Sequence, residues 1–297
     1  MHDLRLRILA FTSVAATVAA VLSSIGCERA MRQHVDTVRR PMRAASVEPW
    51  VQRKIDGRPA KTYGLARRAM LIIGADHVDI ELKDNRFMTL SNFTCKGRPL
   101  DSIDKGTAAA ITADGYFVTA AHCLPTDPDR PFLIIIDANP LPTAFVGRVV
   151  HSCWDPALGC AGKSFADFAI IHAEGAKPRC FEWSPAESLQ PKAPILAFGI
   201  ADGSESTAGG EFIGLVTSDE GKRRAPYLEK FAFSAPTTSG DSGGPVMLAD
   251  GTLLGVLCEV HLTLKPDEWH NEGVRADPAW VQDIIAGDRA SRSTATP

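Results

Sequence analysis

From Ala69 onward the chain is written in short apolar, β-branched runs separated by turn residues, and this texture sets the fold class. Residues 70–73, 77–82, 87–93, 107–111, 116–120, 132–136, 144–150 and 168–172 read as a first set of strands. Residues 195–199, 211–217, 230–233, 245–247, 253–258 and 273–275 read as a second set. Asp114-Gly115 and Asp250-Gly251 sit between neighbouring runs as hairpin turns. Many short strands at regular spacing predict an all-β barrel or sandwich. The pattern changes once more at the end. Asp277 is a good N-cap and Pro278 suits the first helical position, while Trp280, Val281, Ile284 and Ile285 share one face, which predicts a terminal helix.

The composition is that of an ordinary globular protein, with 45% hydrophobic and 23% charged residues. A net charge of −3 leaves no electrostatic footprint for nucleic acid. Arg5 and Arg7 precede an uncharged, mostly apolar run from Ile8 to Ile25, so residues 1–26 read as an export signal. Ser24-Ile25-Gly26-Cys27 resembles a bacterial lipoprotein box without its usual leucine. A lipid-modified Cys27 attached to a membrane, a cleaved secreted protein and an uncleaved anchor all remain open. Residues 27–65, rich in Arg, Pro and Ala, read as a linker or propeptide. The main domain then runs over 66–287, and 288–297 read as a frayed polar tail. Seven cysteines are present, and modification of Cys27 would leave six, a number suited to disulfides outside the cytoplasm. His151, Cys153 and Cys160 match no common zinc spacing, and neither a metal nor an organic cofactor is called for.

The chemistry is carried by three short stretches. In Gly240-Asp241-Ser242-Gly243-Gly244-Pro245 the glycines allow a sharp turn beside a serine hydroxyl and let the Gly240 and Ser242 N–H groups converge as an oxyanion site. A serine is a weak nucleophile until a base takes its proton, and His122 in Thr119-Ala120-Ala121-His122-Cys123 is the candidate base. Asp167, the one carboxylate in the run 164–171, can orient that imidazole.

Both motifs, in the order His122, Asp167, Ser242, resemble those of the chymotrypsin/trypsin-like serine peptidases. The resemblance implies two packed antiparallel six-stranded β-barrels with a C-terminal helix, His122 and Asp167 in the first barrel and Ser242 in the second. It implies a serine endopeptidase that acts on protein or peptide substrates through an acyl-enzyme. It also implies that the cysteine after the histidine pairs with one near Thr107, where this chain has none. Pro236 falls at the base of the substrate pocket, with Thr237, Glu259, Val260 and Gly273 along its walls, which implies a small or medium apolar residue before the scissile bond. Glu259, if turned inward, would instead accept a basic group. Asp241 stands where zymogens of the family bind a newly cut N-terminus, yet no matching cleavage sequence precedes the first strands. Leu257-Cys258-Glu259-Val260 departs from the family's Ser-Trp-Gly, which keeps an inactive binding or scaffold homologue as the alternative. An esterase is the third reading.

Overall fold

The computed structural model describes residues 54–55, 58–59, 68–73, 77–81, 87–91, 104–125, 132–136, 143–153, 166–185, 189–201, 204–237, 240–261 and 270–295. Cys27 and the expected signal segment lie outside them. Two short pairs, β1 (Lys54–Ile55) with β2 (Arg58–Pro59) and β4 (His77–Glu81) with β5 (Phe87–Ser91), stand apart from the main sheets.

The first closed barrel is formed by β3 (Arg68–Ile73), β6 (Asp104–Ala110), β7 (Tyr116–Thr119), β8 (Phe132–Ile136), β9 (Thr143–Ser152) and β10 (Ala169–Ala173). Its order is β10-β7-β6-β3-β8-β9, closed by β9 against β10. Asp114-Gly115 makes the expected tight turn between β6 and β7, with Gly115 at φ 91°. Every residue of β7, β8 and β10 is buried, on both faces. Such two-sided burial is what continuous apolar runs like Phe-Leu-Ile-Ile-Ile predict.

The second closed barrel joins β11 (Pro194–Ala201), β12 (Ser204–Leu215), β13 (Leu228–Phe233), β14 (Pro245–Leu248), β15 (Leu253–His261) and β16 (His270–Ala276) in the order β11-β12-β13-β16-β15-β14. A short helix, α1 (Asp219–Arg224), interrupts the β12–β13 connection and is capped by the Ser218 hydroxyl. All pairings in both barrels are antiparallel, and closure leaves neither sheet an open edge. Phe212, Phe231, Phe233, Leu254 and Leu257 belong to the core of this second barrel. A larger apolar cluster begins in the first barrel at Phe117, Ile134 and Ile170. It passes through Phe198, Met247 and Val256 of the second and ends on Val281 and Ile285 of the last helix.

That helix, α2, runs from Pro278 to Ala295. Asp277 caps it as expected, its Oδ1 accepting from the Ala279 N–H at 2.8 Å. The polar stretch read as a frayed tail is a correction, since residues 288–295 form the last turns of α2. Its polar residues have partners on the first barrel. The Asp288 carboxylate accepts from Tyr116 Oη at 2.8 Å and Arg148 at 2.7 Å, and Arg289 makes a bidentate pair with Asp114. Sequence reading took polarity for disorder because those partners are more than 130 residues away in the chain. No disulfide joins the described cysteines, and Cys123, Cys153 and Cys258 are thiols. His151, considered above as a metal ligand, packs edge-on against Trp280.

Candidate active site

β7 ends at Thr119, and the chain tightens into a 3-10 turn, Ala121–Cys123, that presents His122. Asp167 lies just before β10, which pairs with β7, so the pairing of these strands brings His122 and Asp167 together. The Asp167 carboxylate accepts twice from the same residue. Its Oδ1 takes the His122 backbone N–H at 2.9 Å, and its Oδ2 takes the ring Nδ1–H at 2.6 Å. Asp167 is almost wholly buried, whereas His122 keeps 19% of its side chain exposed. The carboxylate thus fixes both ring orientation and tautomer, leaving Nε2 as the basic nitrogen.

Burial, the largest single influence, works against the charged imidazolium, but the hydrogen bond to Asp167, the Cys123 sulfur 3.8 Å from Nε2 and the Asp167 charge together outweigh it. The His122 group is pushed up to about 10. Cys258 sits behind the carboxylate, where its thiol donates to the Asp167 carbonyl at 3.1 Å, and burial keeps that thiol protonated.

Ser242 comes from the loop between β13 and β14, and its position depends on close backbone approaches. Its carbonyl accepts from Thr107 N–H of β6 at 2.8 Å, and Gly243 N–H donates to the Leu257 carbonyl of β15 at 2.7 Å. The loop is therefore fastened to both barrels. Gly243 has φ 77°, and a Cβ there would lie 2.1 Å from both the Thr107 carbonyl and Thr119 Oγ1. Only glycine fits. Asp241 is buried against the bare backbone of Gly199, where a Cβ would lie 2.2 Å from its carboxylate.

The expected pocket residues divide. Pro236 and Thr237 are buried just ahead of the Ser242 loop. Glu259 and Val260 lie in β15 opposite Glu272 and Asn271, and their side chains lie outside the described residues. At Gly273 a Cβ would meet the Phe231 ring at 2.4 Å, so its missing side chain makes room for the barrel core. Sequence reading missed Asn271. Its amide donates to the Ala235 carbonyl, while its Oδ1, like Thr237 Oγ1, is buried without a hydrogen-bond partner among the described residues. An asparagine in a strand gives no such signal until the strand is placed beside residues 235–237. Gly106 was missed as well: a Cβ on it would sit 2.9 Å from Cys123 Sγ. The cysteine partner expected near Thr107 is thus replaced by glycine.

The trypsin-like peptidase domain family matches residues 106–256, about half the chain, and this chain belongs to that family. Among solved structures it is similar to the HtrA-type protease AlgW with tripeptide, at 16% identity and a TM-score of 0.54, covering 76% of this chain and 62% of that one. AlgW with decapeptide gives 15% identity and a TM-score of 0.51, over 76% and 66% of the two chains. This chain thus spans less than two thirds of those proteins, and at such identity the likeness shows the shared fold. No curated protein matches.

Proposed function

We propose that the protein is a serine endopeptidase that hydrolyses peptide bonds through an acyl-enzyme on His122, Asp167 and Ser242. The observation that carries this reading is the double hydrogen bond from His122 to a buried Asp167, in a turn whose parent strand pairs with β6. That same β6 holds the Ser242 carbonyl.

In this mechanism His122 Nε2 takes the Ser242 hydroxyl proton as Oγ attacks the scissile carbonyl. The Gly240 and Ser242 N–H groups receive the oxyanion, each donor lowering the barrier by about 3–4 kcal/mol. The tetrahedral intermediate collapses, and the imidazolium returns its proton to the leaving amine. Water then repeats the sequence against the acyl-enzyme. Asp167 stays ionised throughout and stabilises the imidazolium.

Protein or peptide is the substrate class we infer, in keeping with the peptides bound to both AlgW structures. Pro236 and Thr237 put no charge at the base of the pocket, so a lysine or arginine before the scissile bond would be desolvated without a partner. A small or medium apolar residue before the scissile bond is the preference we infer. Export, with Cys27 as the site of lipid attachment, completes the proposal. Mass spectrometry of the mature N-terminus tests that part, and an unmodified N-terminus elsewhere removes it.

The activity itself is tested with casein and a small ester as paired substrates. Wild-type protein is expected to cleave casein, and Ser242→Ala to lose nearly all of that rate. Casein cleavage undiminished in Ser242→Ala would end the proposal. Hydrolysis of the ester alone would favour an esterase, and no hydrolysis of either by folded protein would favour a scaffold.

A further inference from the structure

We infer that Thr107 is a positioning residue for the oxyanion site, a hydroxyl from the first barrel that sets the peptide carrying the carbonyl of Gly240; this rests on Ser242 being the nucleophile. Thr107 and Thr119 are both fully buried, Thr107 followed by Ala108-Ala109-Ala110 in β6 and Thr119 preceded by Tyr116-Phe117-Val118 in β7. Valine would fill the same volume with no polar atom to satisfy, so each hydroxyl is burdened with desolvation unless it finds an acceptor. Both do. Thr119 Oγ1 donates to the Thr107 carbonyl at 2.7 Å, and Thr107 Oγ1 donates to the Gly240 carbonyl at 3.1 Å. Thr107 N–H meanwhile holds the Ser242 carbonyl at 2.8 Å. One residue of β6 therefore grips the loop on both sides of Asp241.

Those grips matter because of what Gly240 is. At φ 89° it occupies a region that glycine enters and leaves at little cost, so nothing in its own chemistry keeps its N–H aimed at a substrate oxyanion. Fixing its carbonyl fixes the plane of the following peptide, and so anchors one side of the glycine about which its N–H would otherwise swing. The Thr119–Thr107–Gly240 hydrogen bonds also start on β7, the strand that leads into the His122 turn. The strand that leads into the His122 turn is thereby tied to the Gly240 peptide through Thr107. A transition-state interaction organised in this way should appear in kcat and leave KM nearly untouched.

The test compares Thr107→Val with Thr107→Ser in the full chain, using a chromogenic peptide substrate, with melting temperature measured alongside. Removing one oxyanion donor outright costs about 10²–10³ in kcat, so loosening one is expected to cost Thr107→Val about 10- to 100-fold, with KM within about twofold. Thr107→Ser, which keeps the hydroxyl, should stay within about threefold of wild type. Equal kcat in the valine and serine variants would overturn the inference, as would a loss confined to KM. Should the valine variant fail to fold, Thr107→Ala against Thr107→Ser makes the same comparison, and equal kcat there overturns it too. Peptide hydrolysis that survives Ser242→Ala strikes instead at the nucleophile assignment, and the inference falls with it.

Discussion

The first barrel supplies His122 and Asp167 through side chains that hold each other directly. The second supplies Ser242 through a loop whose course depends on side chains that are missing, at Gly243 and, beneath Asp241, at Gly199. One half of the site is built from hydrogen bonds and the other from close backbone approach. The two halves should therefore fail differently: chemical change disables the first while leaving it folded, and added bulk displaces the second.

Asp167→Asn is the sharpest way to break the first half. The amide is isosteric, so the fold should persist, but Nδ1 no longer meets an ionised acceptor and the wrong tautomer is favoured. A fall of about 10⁴ in kcat is expected, with the protein still folded though less stable near neutral pH. Steady-state kinetics and calorimetry on the same sample check this, and a matching collapse of the melting temperature would show that Asp167 serves mainly the fold.

The same pair sets the pH dependence. Because His122 is raised above its ordinary value near 6.5, the neutral base appears only as pH rises, and kcat/KM should climb with a limb displaced to the alkaline side. The sign for stability is opposite. A raised histidine contributes its full stabilisation below about 6.5 and loses it as pH rises towards about 10. Urea midpoints measured between pH 6 and 10.5 should therefore fall while activity rises. A limb at or below 6.5 would contradict the Asp167–His122 geometry.

Added bulk tests the second half. In Gly243→Ala the new methyl meets both the Thr107 carbonyl and Thr119 Oγ1, at a positive φ. The backbone penalty is about 1–2 kcal/mol, and overpacking adds about 1–3 kcal/mol. Urea denaturation should show that loss together with lost activity. A stable but inactive Gly243→Ala protein would erase the contrast between the halves.

A smaller change should strengthen the first barrel. Gly106→Cys places a Cβ 2.9 Å from Cys123 Sγ and 3.0 Å from its Cβ, about 0.8 Å closer than the usual Cβ–Cβ distance of a disulfide. After a small shift the bond should close a short loop and add about 2–3 kcal/mol. A rise in melting temperature that dithiothreitol reverses is the expected readout.

How much of this was legible in the sequence follows the same division. Alternation and β-branching placed nearly every strand, and Asp277-Pro278 marked the start of α2, because those signals are local. His122, Asp167 and Ser242 could be singled out as candidates because their neighbours form compact motifs. The roles of Thr107, Gly199, Gly106 and Asn271 were not legible. Each matters through an atom contacted from a distant strand, and a threonine or glycine looks the same in sequence whether or not that neighbour is there. The polar end of α2 was misread for the same reason, since its partners Tyr116 and Asp114 lie more than 170 residues away in the chain.

The central claim is that the two barrels assemble one reactive serine. Intact-mass spectrometry after brief treatment with a fluorophosphonate tests it most directly. A single adduct is expected, mapped by peptide mass to Ser242, and its formation should slow by at least about 10³ in His122→Ala, because the pair acts as one unit. A folded wild-type protein that takes no adduct, or labels Ser242 just as fast without His122, would contradict it.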